Sequence, residues 1–185
     1  MTQADFAPLS DADWPRAIAD MRNGFAGQLN VYRVMAHHPA LLRAWADLRR
    51  HIVTQTALGP ERAEVVILRL AHRLGSCYEW NQHVIRGLDA GLTKSRIAAL
   101  AGPVARMQPQ DALLAAAVDA LFDHAELPPD QLAALQAQFG REGVMDLMAT
   151  AGMYLTLGFI VKTTGAPLDD DIAQALKQRA PELMR

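Results

Sequence analysis

An all-α domain is what this sequence predicts, and three observations carry the prediction. Short β-branched runs such as Val65-Val66-Ile67 lie inside longer helical patterns rather than standing alone as strands. Ala and Leu dominate throughout. The 10 prolines and 12 glycines fall mostly between periodic segments, where they punctuate helices.

Helices are predicted over 11–22, 29–36, 40–56, 60–74, 76–90, 93–101, 109–125, 129–139, 141–163 and 169–178. Asp11 heads the first. Pro39 and Pro60 open two more, because proline at the first helical position loses no hydrogen bond. Ser76 and Glu79 form a Ser-x-x-Glu capping box ahead of the 76–90 helix. Thr93 heads Thr-Lys-Ser-Arg before Ile97. Gly75, Gly91, Gly140 and Gly165 each follow a periodic run and read as stops. Gln108 to Gln110, with Pro109 inside, reads as a loop.

The chain has 185 residues, one domain's worth, so 1–185 is expected to be a single domain. An apolar fraction of 51% with 21% charged residues supports a real core and excludes disorder. The formal net charge is −2 and there is no basic stripe, which argues against a nucleic-acid partner. The single cysteine, Cys77, rules out an intrachain disulfide and a four-cysteine zinc site. The acidic start lacks the layout of a signal peptide, and Leu147 to Val161 is shorter than a membrane span needs. A cytoplasmic protein that does not enter membranes is expected. The segment 143–163 is apolar almost all round, so it should be buried on every side, at the domain centre or at a subunit interface.

The 60–74 helix places Arg62, Arg69 and Arg73 on one narrow stripe expected to face water. Glu64 lies opposite, among Ile67, Leu68 and Ala71. A carboxylate on an apolar face is either a structural ion pair, a helix N-terminal acid, or a functional group with a raised pKa. In the next helix Cys77, Val84, Ile85 and Leu88 form the apolar side, and Glu79, His83 and Arg86 share the other. Glu79 and His83 are four apart and can touch. They form either a solvated polar face or a carboxylate–imidazole pair suited to proton transfer near neutral pH. No His-x3-His, His-Glu-x2-His or carboxylate cluster has metal-ligand spacing, so no metal is expected.

Glu64, Ser76, Glu79 and His83 stand in the spacing Glu-x11-Ser-x2-Glu-x3-His. This resembles the carboxymuconolactone decarboxylase and alkylhydroperoxidase AhpD-like superfamily, whose peroxidase branch carries Glu-x11-Cys-x2-Cys-x3-His in an all-helical fold. The lead-in from Asn30-Val31-Tyr32-Arg33 to His38-Pro39-Ala40-Leu41-Leu42-Arg43-Ala44-Trp45 is similar too. So is Cys77-Tyr78-Glu79-Trp80 to His83-Val84-Ile85-Arg86-Gly87 with Ala90-Gly91-Leu92-Thr93. The resemblance covers 28–101 well and 128–170 more loosely, and implies a family-like core at about 28–170.

Ser76 and Glu79 occupy the positions of the peroxidase branch's cysteine pair, so this chain resembles a branch lacking Cys-x-x-Cys. Dithiol peroxide reduction needs both thiols. The resemblance implies instead a cofactor-independent lyase or isomerase acting on a small carboxylated or lactone metabolite. His83 would be the main general acid/base, Glu64 its tuning partner, and Glu79 the group at the helix start. Tyr78, Trp80 and Arg86 would line the pocket, Arg86 as a carboxylate binder. Family members are usually homo-oligomers, which implies a dimer, trimer or hexamer. Two alternatives remain at this level: an alkylhydroperoxidase or peroxiredoxin-type activity through Cys77, which otherwise is a buried thiol, and a non-catalytic ligand-binding oligomer.

Overall fold

The structure, a computed structural model, describes residues 3–185. Among the described residues there is no strand, and the chain is all-α. The helices are α1 (Phe25–Gln28), α2 (Asn30–Met35), α3 (Pro39–Thr54), α4 (Pro60–Leu74), α5 (Cys77–Asp89), α6 (Lys94–Ala99), α7 (Pro109–His124), α8 (Pro129–Thr164) and α9 (Asp170–Arg179). Short 3-10 turns cover Gln3–Phe6, Arg16–Met21, Val104–Arg106 and Pro181–Leu183.

α4 is the central helix and packs against α5, α7 and α8, while α9 lies along α5. Its residues Val65, Val66 and Leu68 have no accessible surface. Gly75 ends it in the left-handed conformation, at φ 64°, which glycine adopts without a Cβ clash. Ser76 follows in extended geometry and its hydroxyl accepts the Glu79 N–H, capping α5. These two residues turn α4 into α5 and set the site's geometry. On the other side, α8 comes so close to α4 that a Cβ at Gly158 would stand 2.1 Å from Leu74 Cδ2.

Several expectations need correction. The arginine stripe of α4 does not face water: it faces α7. Arg69 is 6% exposed and grips Asp119 with Nε and Nη2 at 2.8 and 2.6 Å, donating also to the carbonyls of Leu100 and Gly102. Arg73 reaches Asp123, and Arg62 the Leu58 carbonyl and Gln110. The stripe was amphipathic in the expected sense, but its polar face meets carboxylates and carbonyls of neighbouring elements instead of solvent. The expected 11–22 helix is only a 3-10 turn with a break at Ile18, and the expected loop at 108–110 already contains the first turn of α7. The two helices expected at 129–139 and 141–163 are the two arms of α8, which breaks at Gly140 with φ 70° and ψ 178°.

α8 has the length and hydropathy of a membrane span, yet 56% of its most apolar window is buried inside the fold, as befits a core helix. It is not buried on every side in the single chain. Met145 and Phe159 are 62% and 55% exposed.

Candidate active site

Glu79 and His83 on α5 line one small cavity, and Glu64 on α4 backs His83. His83 is 3% exposed, and its Nδ1 lies 2.7 Å from Glu64 Oε2. Its Nε2 is 3.6 Å from Glu79 Oε2. The glycine–serine turn between the helices makes this possible, because it lays the first turns of α5 against the second half of α4. With Glu64 accepting from Nδ1–H, Nε2 is the nitrogen left free to exchange a proton on the cavity side. Tyr154 of α8 stands edge-on to the imidazole, ring centroids 4.8 Å apart at 89°.

Glu79 begins as the third residue of α5, yet its carboxyl does not complete a reciprocal capping box: the Ser76 N–H donates to the Ala71 carbonyl. The carboxyl turns inward, is 4% exposed, and its Oε1 has no partner among the described residues. Burial pushes its pKa up to about 8; Arg86 opposes the rise, and Glu64 and Asp169 add to it. Near neutral pH this carboxyl therefore holds a proton.

The cavity is lined by Tyr32, Arg49, Tyr78, Gln82, Arg86 and Tyr154 besides Glu79 and His83, with Leu29, Val31 and Leu157 as its apolar wall. Its volume is ≈ 20 Å³, room for about one water. All lining residues are buried except Leu29, Arg49 and Arg86, which are partly exposed and form the mouth. Arg49 is held there by the Phe25 ring, 4.1 Å from its guanidinium carbon, and by the Tyr32 hydroxyl, to which its Nε donates at 3.2 Å.

A second polar arm fixes the cavity wall. Asp169, 6% exposed, accepts from Tyr78 Oη at 2.7 Å, from the Asn30 N–H at 2.8 Å, and from Gln82 Nε2. Tyr78 Oη in turn accepts the Val31 N–H. One buried carboxylate thus ties α2, α5 and the start of α9 together. Burial, with Asp169 beside it, pushes the Tyr78 phenol far above its usual value, so it stays protonated.

Of the residues singled out from sequence, Glu64, Glu79, His83, Tyr78 and Arg86 meet here. Trp80 does not. It is 1% exposed on a different face of α5, where its Nε1 donates to the Leu183 carbonyl and the Arg185 guanidinium covers its ring at 3.7 Å. Cys77 is also elsewhere, and its expected burial is corrected: it is exposed, beside a surface hollow lined by Gly75, Ser76, Lys162 and Gly165. The first helical residue projects beyond the packing surface that Val84 and Ile85 share. Tyr32, Arg49, Gln82, Tyr154 and Asp169 were not anticipated. The one local signal was Gln82, a polar residue four positions after Tyr78 on the same helix.

Comparisons with known proteins agree with this architecture. Residues 39–123 match the family model of the carboxymuconolactone decarboxylase family. No curated protein matches the chain significantly in sequence. Two crystal structures of the debrominase Bmp8 share its fold: the apo form, TM-score 0.74, and a cysteine-to-alanine variant in complex with 2,3,4-tribromopyrrole, TM-score 0.70. Each is 14% identical, and the match covers 94% of this chain and 96% of the other. The chain is thus similar in sequence to the carboxymuconolactone decarboxylase family over 39–123, the stretch that holds its site helices, and shares the fold of Bmp8 over almost its whole length.

Proposed function

We propose that this protein is an enzyme, a cofactor-independent lyase or isomerase that moves protons on a small carboxylated or lactone-type molecule. The observation that carries the reading is His83 at the cavity, held between Glu64 behind it and a proton-bearing Glu79 that lines the cavity with it. Two carboxyl groups in different environments on either side of an imidazole divide the labour of acid and base. His83 Nε2 takes a proton from a carbon next to a carbonyl. The C–H electron pair becomes a carbon–carbon π bond and the carbonyl π pair moves onto oxygen. Glu64 accepts the Nδ1–H and stabilises the imidazolium. Glu79 or the imidazolium returns a proton to carbon, and Arg86 at the mouth pairs with a substrate carboxylate. In a decarboxylation the carboxylate's C–C pair enters the same carbonyl sink and Glu79 protonates the carbon it leaves. A thiol reaction finds no support in the geometry, because Cys77 lies outside the cavity.

The test is proton exchange in D2O, followed by 1H NMR, on the unsaturated five-membered lactone 5-methyl-2(3H)-furanone, whose ring CH2 is bonded to the carbonyl carbon. The protein should speed loss of the ring CH2 signal above the buffer rate, and Glu79→Gln and His83→Gln should each lower the gain by about 10²-fold or more. Exchange no faster than buffer in the wild type refutes the reading.

We propose further that the protein works as a homo-oligomer, a dimer, trimer or hexamer. Support comes from the open face of α8, where Met145 and Phe159 leave large apolar side chains in solvent.

A further inference from the structure

The mechanism above leaves Tyr154, whose ring stands against the proposed base, without a task. Tyr154 is 6% exposed, its ring stands against His83, and it lines the cavity. Every other tyrosine of the site has a hydroxyl partner: Tyr32 accepts from Arg49, and Tyr78 donates to Asp169. The Tyr154 hydroxyl has none among the described residues, and yet it is not sealed off in apolar packing. Its side chain lines the cavity together with Tyr32, Glu79, Gln82 and Arg86.

We propose that Tyr154 is the hydrogen-bond donor to the oxygen on which negative charge develops when His83 takes a proton from carbon, so that the substrate is a carbonyl compound whose carbonyl oxygen points at α8 rather than at the mouth. This rests on the proton-transfer reading. In the step, the C–H pair forms the new carbon–carbon π bond, the carbonyl π pair goes to oxygen, and the phenol O–H lends that oxygen a hydrogen bond without giving up its proton. Burial raises the Tyr154 phenol well above its ordinary value, which keeps it a donor throughout. The edge-on packing against His83 fixes donor and base relative to each other, so the ketone or lactone must be held with its acidic carbon at Nε2 and its oxygen at Oη.

Tyr154→Phe keeps the ring on His83 and removes only the hydroxyl. In the furanone exchange experiment it should lower kcat by about 10²–10³-fold, the usual effect of losing one such donor, with KM changed less than about threefold. Its thermal unfolding midpoint should equal or exceed the wild type's, because the hydroxyl has no partner to lose. Unchanged kcat with exchange intact in the wild type overturns the inference and leaves the proton-transfer reading standing. A lowered midpoint overturns it too, since the hydroxyl would then serve the fold. No exchange in the wild type overturns both.

Discussion

Glu79 links the site's chemistry to the stability of the whole domain, and replacing it with glutamine isolates the link. Gln has the shape of a protonated glutamic acid and no charge. In the wild type the carboxyl has a pKa of about 8 in the fold against an ordinary value of 4.5. The folded state therefore binds this proton more tightly than the unfolded state does. Stability is fully present below pH 4.5, falls as pH rises above it, and stops falling once pH passes the folded value. Each unit between the two is worth about 1.36 kcal/mol, so the full loss approaches roughly 5 kcal/mol, with about 3 kcal/mol already gone at pH 7. Glu79→Gln removes this titration and leaves the others in place, so the difference between variant and wild type cancels the rest. Urea unfolding at pH 5, 6, 7, 8 and 9 should show the variant near the wild type at pH 5 and more stable by several kcal/mol at pH 9. A difference that stays flat from pH 5 to 9 would refute the claim that this carboxyl is buried with its proton.

Four further outcomes follow from the geometry. Arg49→Ala removes the guanidinium packed on Phe25 and Tyr32 at the mouth, contacts worth about 1–2 kcal/mol; His83 should then react roughly tenfold faster with diethyl pyrocarbonate, assigned by mass spectrometry. Asp169→Ala strips three buried donors of their acceptor and should cost about 3 kcal/mol in urea unfolding. Cys77→Ser should change stability by less than about 0.5 kcal/mol, and wild-type Cys77 should react with a thiol reagent in the native protein. Phe159→Lys with Met145→Lys should lower the mass measured by light scattering to that of one chain while leaving the circular dichroism unchanged.

The helix ends were legible because their causes are local. Gly75 terminates α4 through its own backbone, and Ser76 caps α5 through a hydroxyl three residues from its donor. The Glu64–His83 pair was legible through its spacing on two consecutive helices. What the sequence concealed was the covering of each face. Periodicity places Arg62, Arg69 and Arg73 together on α4, but it does not say whether water or Asp119 of α7 stands opposite. Arg49, Tyr154 and Asp169 come from α3, α8 and the start of α9. They reach the site over long sequence separations, and no local pattern announces them. Trp80 shows the same gap from the other side, since a residue next to Glu79 in sequence points 100° away around the helix and packs under Arg185 instead.

Two forces compete at the first turn of α5, and their sizes decide what the site can do. The helix N-terminus favours an anion at Glu79 by about 0.3–1 kcal/mol, up to about 2 in partly buried positions. Arg86 pulls the same way. Against them stand burial, the largest effect, and repulsion from Glu64 and Asp169, and the net rise of the carboxyl's pKa is worth roughly 5 kcal/mol. Desolvation wins, so Glu79 keeps its proton at a position where the helix alone would have ionised it. In the superfamily branch that this chain resembles but departs from, the same turn carries thiols, for which a helix N-terminus is an asset because it favours the thiolate. With an acid in place of a thiol and a cavity of only ≈ 20 Å³ around it, the turn stores a proton instead of exposing a nucleophile.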